Sequence, residues 1–330
     1  MLNVAMLSAW HAHAKGYAER LSQMPEVKIA AVWDEDPARG EPWAKELNAE
    51  WVPNLDAVMK RADIQGVVID APTNRHAEIM VAAANAGKHI FTEKVMALTI
   101  DECNRVSDAV RAAGVKFCIS FPFRARPTTR YAYQAVQDGL LGQLTFFRVR
   151  VAHNAGSAGW LPPHFWEPVA TGGGAMMDLG AHPMYVASWF GGQPKKISST
   201  FTYITGHEVE DNAVCVIEFE GGLIGVTETS FMSTNSPYSL ELSGTEGYLF
   251  IGAPDDKRVQ IKSNKLDNKE WTTPELPPEL PRPERMWVEG ILNGTPIPFG
   301  LEEGTKLTEL MQYAYMAHRE GRQVEIPKRG

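Results

Sequence analysis

Apolar residues in the first third of the chain fall in short runs separated by stretches of helical spacing. Residues 3–7 (Asn-Val-Ala-Met-Leu), 27–33 (Val-Lys-Ile-Ala-Ala-Val-Trp), 66–70 (Gly-Val-Val-Ile-Asp), 89–91 (His-Ile-Phe) and 115–119 read as strands. Short apolar runs bounded by turn signals suit strands covered on both faces. Helices are expected through Tyr17 and Leu21 and from about Asn74 to Ala86, where Gly87 supplies a stop. Thr99-Ile100-Asp101-Glu102 forms a capping box that opens a helix ending near Gly114. Strands alternating with helices at this pitch predict a parallel, doubly wound α/β sheet with helices on both faces.

The pattern then changes. A helix is expected from Thr128 to Gly139 and a long, weakly alternating strand over 144–152. Strands follow at about 195–204, 213–219, 223–231, 239–243, 247–251 and 258–262, with Gly221-Gly222 as a hairpin turn. This half is read as α+β with a large open, mostly antiparallel sheet. The Pro-rich run from Trp271 to Pro283 reads as a stiff connector and 301–320 as a last helix. At 330 residues, two domains are expected: 1–122 and 123–330, with the last helix free to pack back on the first.

Composition narrows the partners. A net charge of −8 with no basic stripe argues against nucleic acid. No run approaches about 18 uninterrupted apolar residues, so no membrane span is expected. Cys103, Cys118 and Cys215 are scattered, as suits reduced thiols in a reducing compartment, and a cytoplasmic enzyme is the default.

Candidate chemistry gathers at two places. A strand, tight turn and helix, followed by an acid about 20 residues on, is a dinucleotide-binding layout. Asp34 stands where a carboxylate accepts ribose hydroxyls, and Trp33 and Glu35 beside it bring no cation for a 2′-phosphate, which favours NAD over NADP. In the turn itself, Ser8-Ala9-Trp10-His11-Ala12-His13-Ala14 replaces all three glycines of the usual fingerprint. Ser8, Trp10, His11 and His13 remain candidates to contact the cofactor, helped by the dipole of the following helix. His11-x-His13 also has metal-ligand spacing, but the sequence displays no third and fourth ligand, so no metal is expected. Pro72, Thr73, Asn74 and His76 form a loop after the third strand, and Glu93 and Lys94 end the next. A lysine there can stabilise a developing alkoxide; a surface ion pair with Glu93 is the plainer alternative.

The second place is Gly172-Gly173-Gly174-Ala175-Met176-Met177-Asp178-Leu179-Gly180-Ala181-His182-Pro183-Met184-Tyr185. The glycines allow close backbone approach to a ligand. On a continuous helix Asp178 and His182 would share a face, the carboxylate fixing the imidazole as a general base. Pro183 either ends a turn or kinks that helix. A helix cap and a buried, satisfied histidine is the bland alternative. His153, Asn154, Trp160, His164 and Trp166 offer aromatic platforms and directional donors for a sugar, with Arg124 and Tyr185 as further substrate contacts.

These motifs together resemble the glucose–fructose oxidoreductase, inositol dehydrogenase and MocA (Gfo/Idh/MocA) family. The similarity rests on Glu93-Lys94 after Pro-Thr-Asn-x-His and on Gly-Gly-Gly-x-x-x-Asp-x-Gly-x-His at 172–182. It continues through Glu210-Asp211-Asn212-Ala213, Gly244-Thr245-Glu246-Gly247 and Gly321-Arg322-x-Val324. Membership implies a Rossmann domain, a C-terminal open sheet used to form a homodimer or homotetramer, sugar or cyclitol substrates, and Lys94, Asp178 and His182 as the catalytic set. The chain departs from the pattern in its glycine-free turn, in Val95 for the usual proline, and in Tyr185 for a polar residue. The expected activity is NAD-dependent oxidation or reduction of a secondary hydroxyl of a sugar, glycoside or cyclitol. NAD-assisted cleavage or epimerisation without net redox change, and a non-catalytic sugar- or NAD-binding regulator, are the alternatives.

Overall fold

The computed structural model describes residues 1–328. Contacts divide the chain into two units, residues 1–120 with 281–308 and residues 121–280 with 309–330. The second crossing falls inside the Pro-rich run, so that stretch is also a boundary.

The first unit opens with β1 (Leu2–Leu7), α1 (Ala14–Ser22), β2 (Val27–Trp33), α2 (Pro37–Glu46), β3 (Glu50–Trp51), α3 (Leu55–Lys60) and β4 (Gly66–Ile69). It continues with α4 (His76–Asn85), β5 (His89–Thr92), α5 (Ile100–Ala113) and β6 (Phe117–Ile119). The six strands run parallel in the order β3-β2-β1-β4-β5-β6. The strands are buried because they read as continuous apolar runs: Val4, Met6, Leu7, Val67, Val68, Ile69 and Phe91 have no exposed surface. The capping box at Thr99 forms as read, and Gly114 ends α5 in the left-handed conformation at φ 66°.

Register decides where the chemistry can be. Leu7 pairs with Trp33 and with Ile69, and Ile69 with Thr92. The next residues in the chain, Ser8, Asp34, Asp70 and Glu93, therefore emerge along one edge, at the carboxyl ends of adjacent strands. All four are polar and none is more than 2% exposed. Strand order reverses between β1 and β4, the crevice where open α/β sheets bind ligands.

The second unit contains α6 (Pro122–Ala125), α7 (Pro127–Gln137), β7 (Leu144–Ala152), α8 (Pro168–Thr171), α9 (Ala175–Asp178) and α10 (Ala181–Gly191). Six strands follow: β8 (Pro194–Thr202), β9 (Asn212–Phe219), β10 (Ile224–Ser230), β11 (Ser239–Gly244), β12 (Gly247–Gly252) and β13 (Asp255–Ser263). The chain ends with α11 (Pro283–Asn293), which belongs to the first unit, then α12 (Leu301–Glu320) and β14 (Val324–Glu325). The eight-stranded sheet runs β13-β12-β11-β7-β10-β9-β8-β14, antiparallel except where β10 pairs with β7. Gly221 and Gly222 take φ 81° and 84°, which lets β9 and β10 turn tightly. α10 packs on β10 and β7, while Phe146, Val214, Val216 and Ile224 leave apolar surface open on the sheet. Among the described residues no helix is long and apolar enough to cross a membrane.

Candidate active site

The turn after β1 keeps a glycine's backbone without the glycine. Ser8 has φ 76°, a left-handed conformation that a side chain adopts at a cost of about 1 kcal/mol or more. Several bonds hold it there: Ser8 N–H donates to Trp33 O at 2.6 Å, Trp10 N–H to Ser8 Oγ at 3.1 Å, and Ser8 Oγ to Glu35 Oε1 at 3.1 Å. Most of the turn's other amides are committed within the protein. Ala9 N–H donates to Asp34 Oδ2 (2.8 Å), His11 N–H to Asp70 O (3.0 Å) and His13 N–H to His11 Nδ1 (3.2 Å).

Asp34 does not present the open carboxylate that its position suggests. Its side chain has no exposed surface, and it accepts from Ala9 N–H, Asp36 N–H and both ends of the Arg39 fork, at 2.9 Å from Nε and 2.5 Å from the terminal nitrogen. Arg39 also meets Glu35. The sequence neighbours gave no cation; helix α2 brings one from five residues on. Burial and the Asp34 charge push the Glu35 carboxyl up from its usual value.

His76, expected near the cofactor, is instead a fastener. It is 1% exposed, with Nδ1 2.7 Å from Val95 O and Nε2 3.0 Å from Ala71 O, tying the loop after β4 to the segment after Lys94. Burial lowers its pKa. Pro72 and Thr73 are buried and Asn74 is exposed. The Lys94–Val95 peptide is cis.

Glu93 is the hub of this edge. Oε2 accepts the Lys94 N–H at 2.7 Å, and Oε1 lies 2.8 Å from His13 Nδ1 and accepts from the Tyr17 hydroxyl. Tyr17 Oη in turn lies 2.6 Å from Ser120 Oγ. Burial opposes ionisation, yet the imidazoles of His11 and His13 and the Lys94 ammonium hold the Glu93 carboxyl well below the usual range. Lys94 itself is 4% exposed, so the surface ion pair is not what the structure shows.

In the second unit the glycine loop packs closely on its own domain. Glu210 Oε1 accepts from Gly174 N–H (2.9 Å), Met176 N–H (2.8 Å) and the Tyr315 hydroxyl (2.6 Å). A Cβ on Gly173 would collide with Tyr315, and one on Gly174 with the Glu210 carbonyl.

The expected single helix is two. The ladder slips after Asp178: Gly180 N–H reaches back to Ala175 O at 2.8 Å and His182 N–H to Leu179 O at 3.1 Å. Pro183 explains the slip, because it has no N–H for the Leu179 carbonyl, which His182 therefore takes. Asp178 ends one helix and His182 lies in the first turn of the next, with Leu179 and Gly180 between them still in helical conformation. His182 Nδ1 lies 3.1 Å from the Tyr185 hydroxyl. Tyr185 also accepts from Phe123 N–H at 3.0 Å and stacks on Phe121 at 4.1 Å. At 2% exposure it supports the histidine from within the fold. The sequence missed Phe123, whose ring packs 4.9 Å from His182.

The aromatic segment is divided in its uses. Trp166 stacks on His207 at 4.1 Å, and Arg124 lies 4.5 Å over Trp189. His153 stacks on Phe231 and leans on Trp160, while Trp160 is 55% exposed. His164 packs beside Phe165.

Residues 3–121 match the oxidoreductase family with an NAD-binding Rossmann fold, and residues 129–250 match the GFO/IDH/MocA C-terminal domain. The chain belongs to the Gfo/Idh/MocA family. Its curated relatives include the scyllo-inositol 2-dehydrogenase (NAD(+)) of Bacillus subtilis, 29% identical over 77% of this chain and 73% of that protein. The levoglucosan dehydrogenase of Pseudarthrobacter phenanthrenivorans is 27% identical over 70% of this chain and 67% of its own. A levoglucosan dehydrogenase solved with NADH and levoglucosan superposes at TM-score 0.87 with 19% identity, covering 99% of this chain and all of that one, a likeness of fold. This Gfo/Idh/MocA oxidoreductase thus carries both domains that its motifs implied.

Proposed function

We propose that this Gfo/Idh/MocA member is an NAD-dependent dehydrogenase acting on a secondary hydroxyl of a sugar, glycoside or cyclitol. The observation that carries the reading is Lys94, a buried lysine at the carboxyl edge of the parallel sheet, backed by an ionised Glu93. The turn fits a dinucleotide, since Ser8 takes the left-handed backbone of the missing glycine at the reversal of strand order. Ser8, Trp10, His11, His13, Pro72, Thr73, Asn74, Glu93 and Lys94 would line the cofactor, while Asp34 shapes the turn and His76 fastens the loop. Bound there, nicotinamide supplies the two-electron redox chemistry.

The chain's own residues do the rest. Lys94 polarises the substrate oxygen and stabilises its charge as the hydroxyl proton leaves. His182 takes that proton at Nε2, which requires the tautomer whose Nδ1–H donates to the Tyr185 oxygen. Asp178 supports the same site by its negative charge. Trp160, His153, His164 and Trp166 border the sugar.

NAD is preferred over NADP because a 2′-phosphate would meet two carboxylates, Asp34 and Glu35, against one guanidinium they already occupy. The exposed strip of Phe146, Val214, Val216 and Ile224 supports a homodimer or homotetramer through the open sheet. Three free, buried cysteines suit the cytoplasm.

Titrating purified protein with NADH and with NADPH, then assaying NADH formation over a panel of inositols and anhydrosugars, tests the reading. NADH binding with turnover on some member of the panel is expected. Absence of binding by either dinucleotide would refute it.

A further inference from the structure

Each of His11, His13 and Glu93 offers a ligand atom, and the three atoms lie within 4.8 Å of one another. The sequence shows His-x-His alone; the fold adds the third group from 80 residues away. We propose that these residues bind one divalent first-row metal ion, such as zinc or cobalt(II), as an open site with at least one position left for an oxygen ligand.

Two imidazoles and one carboxylate are a donor set that such ions favour, and three protein ligands leave a tetrahedral ion one free position. Glu93 and His11 are 1% and 7% exposed, so two of the ligands are already withdrawn from water. The carboxylate is oriented in advance: Oε2 accepts the Lys94 amide, and Oε1 accepts from Tyr17, which is held by Ser120. Outer bonds of this kind are what keep a ligating group aimed at its ion.

Asp70 gives an independent reason to place positive charge here. Its side chain is fully buried, and neither carboxyl oxygen has a hydrogen-bond partner. The His11 N–H donates to the Asp70 carbonyl at 3.0 Å, so two buried acids, Asp70 and Glu93, border the same histidine-bearing turn. The backbone adds a third consideration. The amides that a glycine-rich turn would aim at an anion are largely spent on Asp34, Ser8, Asp70 and His11. A metal ion with an open position adds an oxygen-binding group beside the turn.

The test uses the full-length protein freed of metal with EDTA and then titrated with zinc chloride and with cobalt chloride, without any dinucleotide. One ion per chain is expected, with a visible cobalt(II) absorption band showing nitrogen and oxygen ligation. His13→Ala should weaken zinc affinity at least tenfold; its side chain is 49% exposed, so the fold should tolerate the change. His11→Ala and Glu93→Gln should do likewise. No saturable ion, or an affinity that His13→Ala leaves unchanged, would overturn the proposal. NADH binding to the EDTA-treated protein, measured separately, keeps this result distinct from the dehydrogenase reading.

Discussion

At His182 the proton's position depends on a tyrosine hydroxyl 3.1 Å from Nδ1. Tyr185→Phe keeps the stack on Phe121 and removes that oxygen. It is expected to lower kcat about tenfold or more and to move the acidic limb of its pH profile, with KM little changed. An unshifted profile would make the tyrosine structural only. Asp70 gives a second prediction at this scale. Burial, then the Glu93 charge, raise its pKa well above the usual 3.8. A raised folded value stabilises below the unfolded one and is lost as pH rises, so ionising Asp70 costs stability from about pH 4 upward. In metal-free protein, the Tm of Asp70→Asn relative to wild type should therefore increase from acid toward neutral pH. The sequence could not supply either relation. Tyr185 reads as a substrate contact, and Asp70 as the end of a strand. Their meaning comes from Phe123 and Glu93, residues brought close only by folding.

At the scale of elements the alternating runs were informative and the helices less so. Strands with uniform apolar runs or period-two patterns were found within a few residues, because burial on one or both faces writes itself into the sequence. Helix α2 is hard to read in the sequence, since Gly40 and Pro42 interrupt its signal. Helix α11 was missed: it buries Glu284, a charge explained by Arg20 from α1. The glycine loop is legible as a place of close backbone approach; in the structure that approach includes Glu210 and Tyr315. Gly174→Ala should consequently destabilise the fold by about 2 kcal/mol or more, read by denaturant unfolding, since its Cβ meets the rigid Glu210 backbone. A loop built for a ligand would tolerate alanine in the absence of that ligand.

For the whole molecule, the family and its two-part architecture were visible because motifs in fixed order survive where the glycine fingerprint does not. The boundary was harder, since residues 281–308 return to the first unit through a run that looks like a plain linker. The open sheet carries its own prediction: Val216→Lys, on an exposed apolar strand position, should dissociate the proposed oligomer in light scattering while leaving the monomer folded. The central proposal is that Lys94 and His182 are both catalytic residues. Single-turnover NADH formation with the best substrate, compared among wild type, Lys94→Ala and His182→Ala, tests it most directly. The account predicts a loss of roughly 100-fold or more in each variant with circular dichroism unchanged. Near-wild-type rates in both folded variants would contradict it.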